Sequence, residues 1–170
     1  MFQRIGLDWQ RNVFLESMEF LEAKGQFIST WGNYGQQWGI NKAMGHIHAL
    51  MLISEKQLNT LEIREVLQIS SGNANTNIRA LVALGLLSKV HMPGDRKEYF
   101  KADKDIAVIA KILTNERKRR GFDPAIKSLS KIKDPNGKAS QIKEFRKVIK
   151  DLSSFAYKSD KYMEKLLDSF

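Results

Sequence analysis

Residues 60–101 read TLEIREVLQISSGNANTNIRALVALGLLSKVHMPGDRKEYFK, and this stretch decides the fold. Thr60 can N-cap a short helix over residues 61–67, in which Leu61, Ile63, Val66 and Leu67 are apolar. Ile69 and Ser70 form a tight corner, and Ser70 or Ser71 caps a second helix reaching Leu84. In that helix Ala74, Ile78, Leu81 and Leu84 make a core stripe, whereas Asn73, Asn75, Thr76, Asn77 and Arg79 lie largely off it. Two short helices joined by a turn of three or four residues make a helix-turn-helix. Gly85 stops the second helix; the pattern then predicts a strand over 86–92, a turn through Pro93, Gly94, Asp95, Arg96 and Lys97, and a returning strand over 98–101. A helix-turn-helix followed by a β-hairpin is a winged helix, so the expected fold class is mainly α with a small β-hairpin wing.

Upstream, Val13, Phe14, Met18, Phe20, Leu21 and Ala23 have helical spacing between about Asp8 and Phe27, which predicts one long amphipathic helix or two shorter ones. Trp31, Tyr34 and Trp38 then fall at i, i+3 and i+7, with Gly32, Gly35 and Gly39 each one residue later: an aromatic ridge beside a glycine groove. Asn41 precedes a helix over 42–53 that buries Met44, Ile47, His48, Met51 and Leu52 on one face. Downstream, Ile106, Val108, Ile109, Ile112 and Leu113 mark a helix that ends in Arg117, Lys118, Arg119 and Arg120. Cations at a helix C-terminus followed by Gly121 suit the macrodipole and a glycine cap. Asp123 and Pro124 predict an N-cap and an N1 proline, and Pro135, Asn136 and Gly137 a turn. Finally Ile142, Phe145, Ile149, Leu152, Ala156, Ser159, Met163, Leu166 and Phe170 alternate in steps of three and four, a heptad seam that needs a partner. The expected organisation is an N-terminal helical arm (1–41), a winged helix-turn-helix (42–104) and a C-terminal helical dimerisation region (105–170).

The chain has 170 residues and 42% apolar composition, enough for one sizeable core. Twenty-eight Lys and Arg against nineteen Asp and Glu leave +9, and a cationic bias of that size favours a polyanionic partner. The excess is uneven: residues 1–110 net +1 and residues 111–170 net +8. Zero cysteines exclude disulfides, thiolate metal sites, a cysteine nucleophile and thiol redox sensing. No apolar run approaches the roughly 20 residues of a membrane span, and residues 1–14 lack the apolar core of a signal peptide, so no membrane association and a cytoplasmic location are expected. His46 and His48 sit two apart on a helix, about 200° around its axis, so they cannot share a metal ion within one helix. There is no glycine-rich phosphate loop, no nucleophile elbow and no acid pair at an interpretable spacing, so neither an enzyme nor a cofactor protein is expected.

The stretch from Gly39 to Leu50, then residues 67–75, Arg79-Ala80-Leu81, Leu84-Gly85-Leu86, Gly94-Asp95-Arg96-Lys97 and Glu116-Arg117-Lys118, resembles the GbsR/MarR family of transcriptional regulators over roughly residues 25–165. The resemblance implies a homodimer whose terminal helices form the dimer body while two winged helices straddle double-stranded operator DNA. Carried over, Ser71 to Arg79 is the recognition helix, and Asp95, Arg96 and Lys97 are the wing tip. Ala83-Leu84 departs from the family's usual acidic residue and Trp, which changes the packing beneath the wing.

The residue types fit that role. Asn can bond adenine edges and Arg guanine bidentately, so Asn73, Asn75, Asn77 and Arg79 suit base reading, while Ser71 and Thr76 suit phosphates and thymine methyls. Arg96, with Asp95 beside it to hold its guanidinium, suits a narrow, negative minor groove. The seam residues Ile142, Phe145, Ile149, Leu152, Met163 and Leu166 are the dimerisation candidates. Trp31, Tyr34 and Trp38 could box a quaternary ammonium effector by cation–π attraction, although a core or interface ridge fits them better. Two functions remain: a dimeric DNA-binding regulator, expected to be a repressor tuned by a small molecule, and a protein-interaction module that does not read DNA. The second would be expected to expose apolar anchors on residues 71–79, where Asn, Thr and Arg stand instead.

Overall fold

A computed structural model describes residues 2–169, with side chains from Ser17 onward, so the expectations on Val13, Phe14 and Phe170 lie outside the described side chains. The elements are α1 (Phe2–Gln37), α2 (Lys42–Ile53), β1 (Leu58–Asn59), α3 (Thr60–Leu67), α4 (Ser71–Leu84), β2 (Leu87–Val90), β3 (Tyr99–Ala102), α5 (Ile106–Arg117), a π-helical turn (Lys118–Phe122), α6 (Asp123–Leu129) and α7 (Ser140–Asp168). They form two compact units. One holds the chain up to Gln36 with Asn41–Asp103; the other holds Gln37–Ile40 and the chain from Lys104.

The first unit is a winged helix. Asn41 N-caps α2, its side chain accepting from Met44 N–H. Asn59, rather than Thr60, caps α3: its side chain accepts from Leu61 and Glu62 N–H, and Glu62 accepts from Asn59 N–H in return. That reciprocal capping box satisfies two helix-end donors and the cap's own N–H, which a Thr60 cap would leave open. Gln68 ends α3 in the left-handed region (φ 52°), and Ser70 caps α4 by accepting from Asn73 N–H. Leu86 N–H bonds back to Leu81 carbonyl, closing the end of α4, so β2 starts at Leu87 rather than Leu86. The sheet order is β1-β3-β2, antiparallel, with Leu58 opposite Phe100 and Val90 opposite Tyr99. The two-residue strand β1 adds to the predicted hairpin; a pair of residues carries no periodicity by which to find it. Leu50 from α2, Ile63 from α3, Ile78 and Leu81 from α4, Leu86 and Phe100 fill the core.

Helix α1 meets α2 through glycine. A Cβ on Gly45 would lie 2.7 Å from Gly32 Cα, and one on Gly32 would lie 2.1 Å from His46 Cδ2, so the two backbones touch where no side chain fits. Beside this contact Trp31 stacks on Phe27 and donates its indole N–H to His48 Nδ1 at 3.1 Å.

The second unit corrects the reading of the basic run. Gly121 does not cap a helix, and Asp123 is not an N-cap: Lys118 and Asp123 both have right-handed helical dihedrals, and the backbone runs through the π turn from α5 into α6. Acidic partners hold it there. The buried Glu116 accepts from Arg119 at 2.9 Å and Arg120 at 2.8 Å, and Lys118 pairs with Asp160 at 2.9 Å and Asp123 at 3.4 Å. Arg119 first, then Arg120, hold the Glu116 carboxyl below the usual carboxylate range. Along α7, Ala156 is buried, Ile142, Ile149, Ser159 and Met163 are half-buried, and Phe145, Leu152 and Leu166 are exposed. Arg146 ties the start of this helix to the preceding loop by donating to the carbonyls of Pro135 and Gly137.

Candidate nucleic-acid interface

Helix α4 presents one face to the core and one to solvent. Ala74, Ile78 and Leu81 are buried, while Ser71, Asn73, Asn75, Thr76 and Arg79 are exposed. The exposed set has hydroxyl, amide and guanidinium groups and no apolar side chain. The short αL turn at Gln68 sets the angle at which α4 leaves α3, so the outer face stands clear of the neighbouring helix.

Asn77 departs from the expected outer face. It is 7% exposed: its oxygen accepts from Asn41 Nδ2 at 2.8 Å, and its own amide nitrogen donates to the Asn73 carbonyl at 2.8 Å and to the Asn73 side chain. It stands at the edge of the core stripe, and tertiary contact rather than spacing buries it; a buried amide must find partners. It therefore joins the start of α2 to the middle of α4 and is not available to a base. Asn73 keeps its amide N–H groups outward while its oxygen turns toward Asn77.

The wing loop between β2 and β3 exposes Arg96 and Lys97, with Asp95 half-buried. Asp95 does not hold the Arg96 guanidinium as expected. Its carboxylate accepts from Lys97 N–H at 2.9 Å and from the Tyr99 hydroxyl at 2.8 Å, a local Asx-type turn that takes up the oxygens the adjacent Arg96 would need. The Lys97 N–H, then the Tyr99 hydroxyl, lower the Asp95 pKa, and the same contact raises that of Tyr99. Asp95 thus shapes the wing tip, and Lys89 bridges the strands by pairing with Glu98 at 2.6 Å. Sequence reasoning missed Tyr99 as the anchor of the tip; its signal was the four-residue spacing from Asp95.

Trp31 is turned inward to Phe27 and His48, Tyr34 is exposed on α1, and Trp38 lies beyond the end of α1 at Gln37 and so is not on the predicted ridge. Since the indole donates to Nδ1, the neutral His48 ring carries its proton on Nε2, which is buried and has no hydrogen-bond partner among the described residues. Burial lowers the His48 pKa to about 4. Burial, then the charge of Lys42, lowers that of His46 as well.

Among the described helices, none is long and apolar enough to cross a membrane. No family model matches the chain. A solved transcriptional regulator shares the fold, with a TM-score of 0.60 at 17% identity over 86% of this chain and 97% of that one. The HTH-type transcriptional regulator MmpR5 of Mycobacterium tuberculosis (strain ATCC 25618 / H37Rv) is 26% identical over 77 residues, 45% of this chain. The match spans about half the length of that relative, 47%. S. aureus MepR, solved in a DNA-binding conformation, gives a TM-score of 0.41 at 19% identity over 85% of this chain and 98% of that one.

Proposed function

We propose that this chain is a sequence-specific DNA-binding transcriptional regulator of the GbsR/MarR type, acting as a homodimer, and that it is a repressor tuned by a small molecule. The observation that carries the reading is the outer face of α4. Ser71, Asn73, Asn75, Thr76 and Arg79 expose hydrogen-bonding groups matched to base edges and phosphates, on a rigid helix with a cationic wing beside it in the same unit. In this reading residues 42–104 carry the DNA contacts, and the helices before and after them build the dimer. Asn75 and Arg79 read bases, Ser71 and Thr76 hold phosphates or thymine methyls, and Arg96 and Lys97 follow the backbone or the minor groove. The protein-interaction alternative loses its main support, because the α4 face offers no apolar anchor.

The test begins with DNA fragments selected by the protein from its source genome. On the selected operator, Asn75→Ala and Arg79→Ala should each cost about 1–3 kcal/mol, and much less on random DNA. If both variants bind the operator as the parent does, α4 does not read DNA and the interaction-module reading takes its place.

A further inference from the structure

Helix α7 has two apolar stripes with different environments. Ile142, Ile149, Ala156 and Met163, seven residues apart, are half-buried or buried within their own unit. Beside them Phe145, Val148, Leu152, Phe155, Tyr162 and Leu166 follow steps of three and four with Ser159 completing the pattern, and these six large side chains are 41–72% exposed. Set as a heptad, Phe145, Leu152, Ser159 and Leu166 are the a positions and Val148, Phe155 and Tyr162 the d positions. The e positions are then Ile149, Ala156 and Met163, the stripe turned into the subunit. The g positions are Glu144, Asp151, Lys158 and Lys165, acidic in the first half and basic in the second. All four are exposed, and among the described residues none has an ion-pair partner within the chain.

That sorting selects an orientation. In a parallel pair of identical helices, g positions face the partner's e positions, which here are apolar and already covered. Turning the partner helix end for end brings g against g. Glu144 and Lys165 lie equally far from the midpoint between residues 154 and 155, and so do Asp151 and Lys158. A two-fold axis at that level pairs opposite charges at every g position, each pair occurring twice by symmetry. We infer that the exposed stripe of α7 seats a second copy of this chain with its α7 antiparallel, Glu144 meeting the partner's Lys165 and Asp151 meeting the partner's Lys158. The same register stacks Phe145 on the partner's Tyr162 and Leu152 on the partner's Phe155, so each aromatic side chain is covered. The inference rests on the homodimer proposed above and adds the face, the direction and the register.

The experiment is charge exchange on the full chain, followed by sedimentation over a range of concentrations, with circular dichroism to hold folding constant. E144K with D151K makes the whole g flank basic, and K158E with K165E makes it acidic. Each should weaken self-association about tenfold or more at low ionic strength, the loss shrinking with added salt. An equimolar mixture of the two, or all four changes in one chain, should restore it, because the antiparallel pairs are then opposite in sign again. A separate variant, Phe155→Asp, reports on the dimer itself and should give monomers. If Phe155→Asp is monomeric while both charge variants associate like the parent, the stripe pairs in another register and the inference falls, with the homodimer reading intact. If Phe155→Asp also associates like the parent, or the parent is a monomer throughout, the stripe is no dimer contact and both fall.

Discussion

The two asparagines Asn75 and Asn77, two residues apart on one helix, are set to opposite tasks by which side of α4 they occupy. Asn77→Ala should destabilise the protein by about 1–3 kcal/mol, since it removes a buried group hydrogen-bonded to both Asn41 and Asn73, read as a lower urea midpoint. Asn75→Ala should leave that midpoint nearly unchanged and lose operator affinity instead. Histidine 48 makes a second prediction at this scale. Its imidazole titrates at about 4 in the folded chain against 6.5 for an unperturbed histidine. Between those values the unfolded chain binds more protons than the folded one, so stability falls as pH drops from 6.5 toward 4, and the loss is complete below that window. The size is on the order of 3 kcal/mol. Urea titrations at pH 7, 5.5 and 4.5 should show the slope, and His48→Met, which keeps the volume and removes the titration, should flatten it.

At the scale of elements, the α1–α2 contact and the wing each rest on one close arrangement. Gly45→Ala pushes a methyl against the Gly32 backbone, which cannot step aside without separating the helices; Gly32→Ala meets the ring of His46, which can rotate. Gly45→Ala should therefore lower the melting temperature markedly more than Gly32→Ala, despite the gain in helix propensity at both sites. Equal effects would mean the helices adjust freely. In the wing, Arg96→Ala should weaken cognate and random DNA by similar factors. It should also lower the slope of log K against log salt by about 0.9 for each phosphate charge it neutralised. The capping box at Asn59 and Glu62 shows why one element boundary moved by a residue from the expected one, and the π turn at Lys118 why another vanished as the helix ran on to Leu129. Each boundary falls where more of the backbone groups are satisfied: the Asn59 side chain displaces Thr60 as the cap of α3, the Leu86 N–H closes α4 so that β2 starts at Leu87, and at Gly121 the helix continues.

For the molecule as a whole, charge and apolar surface lie in different places from those the composition suggests. The basic run at residues 117–120 is partly engaged inside the second unit, where Glu116, Asp123 and Asp160 pair with Arg119, Arg120 and Lys118, although the net of +8 beyond residue 110, which already counts those acids, is unchanged. Apolar surface on α7 is left open along a whole stripe, and in the proposed homodimer the binding of two half-sites depends on filling it. One winged helix makes few phosphate contacts, so Phe155→Asp, as a monomer, should lose most of the operator affinity while its melting temperature stays close to the parent's. Fluorescence anisotropy on the selected operator reads the first, and thermal unfolding the second.

The winged helix was legible in the order of its elements: a periodicity that switches from helical to alternating after Gly85, with turn residues at Ser70 and Gly94, leaves few other folds. The chemical character of the α4 face was equally legible, because stripe positions such as Ala74, Ile78 and Leu81 assign the remaining residues to the outside. Which polar residues on that helix are free was decided only by tertiary contact. Asn77 sits at the edge of the stripe, where helical spacing alone puts it on neither side, and its partner Asn41 is remote in sequence. Asp95 likewise had several candidate partners nearby, and hairpin geometry chose the Tyr99 hydroxyl and the Lys97 N–H over Arg96. The heptad on α7 was visible as a single seam, yet packing against its own unit covered Ile142, Ile149, Ala156 and Met163 and left Phe145, Leu152 and Leu166 open beside Val148, Phe155 and Tyr162, which lay outside that seam, since one side of an apolar face can be filled from within and the other cannot.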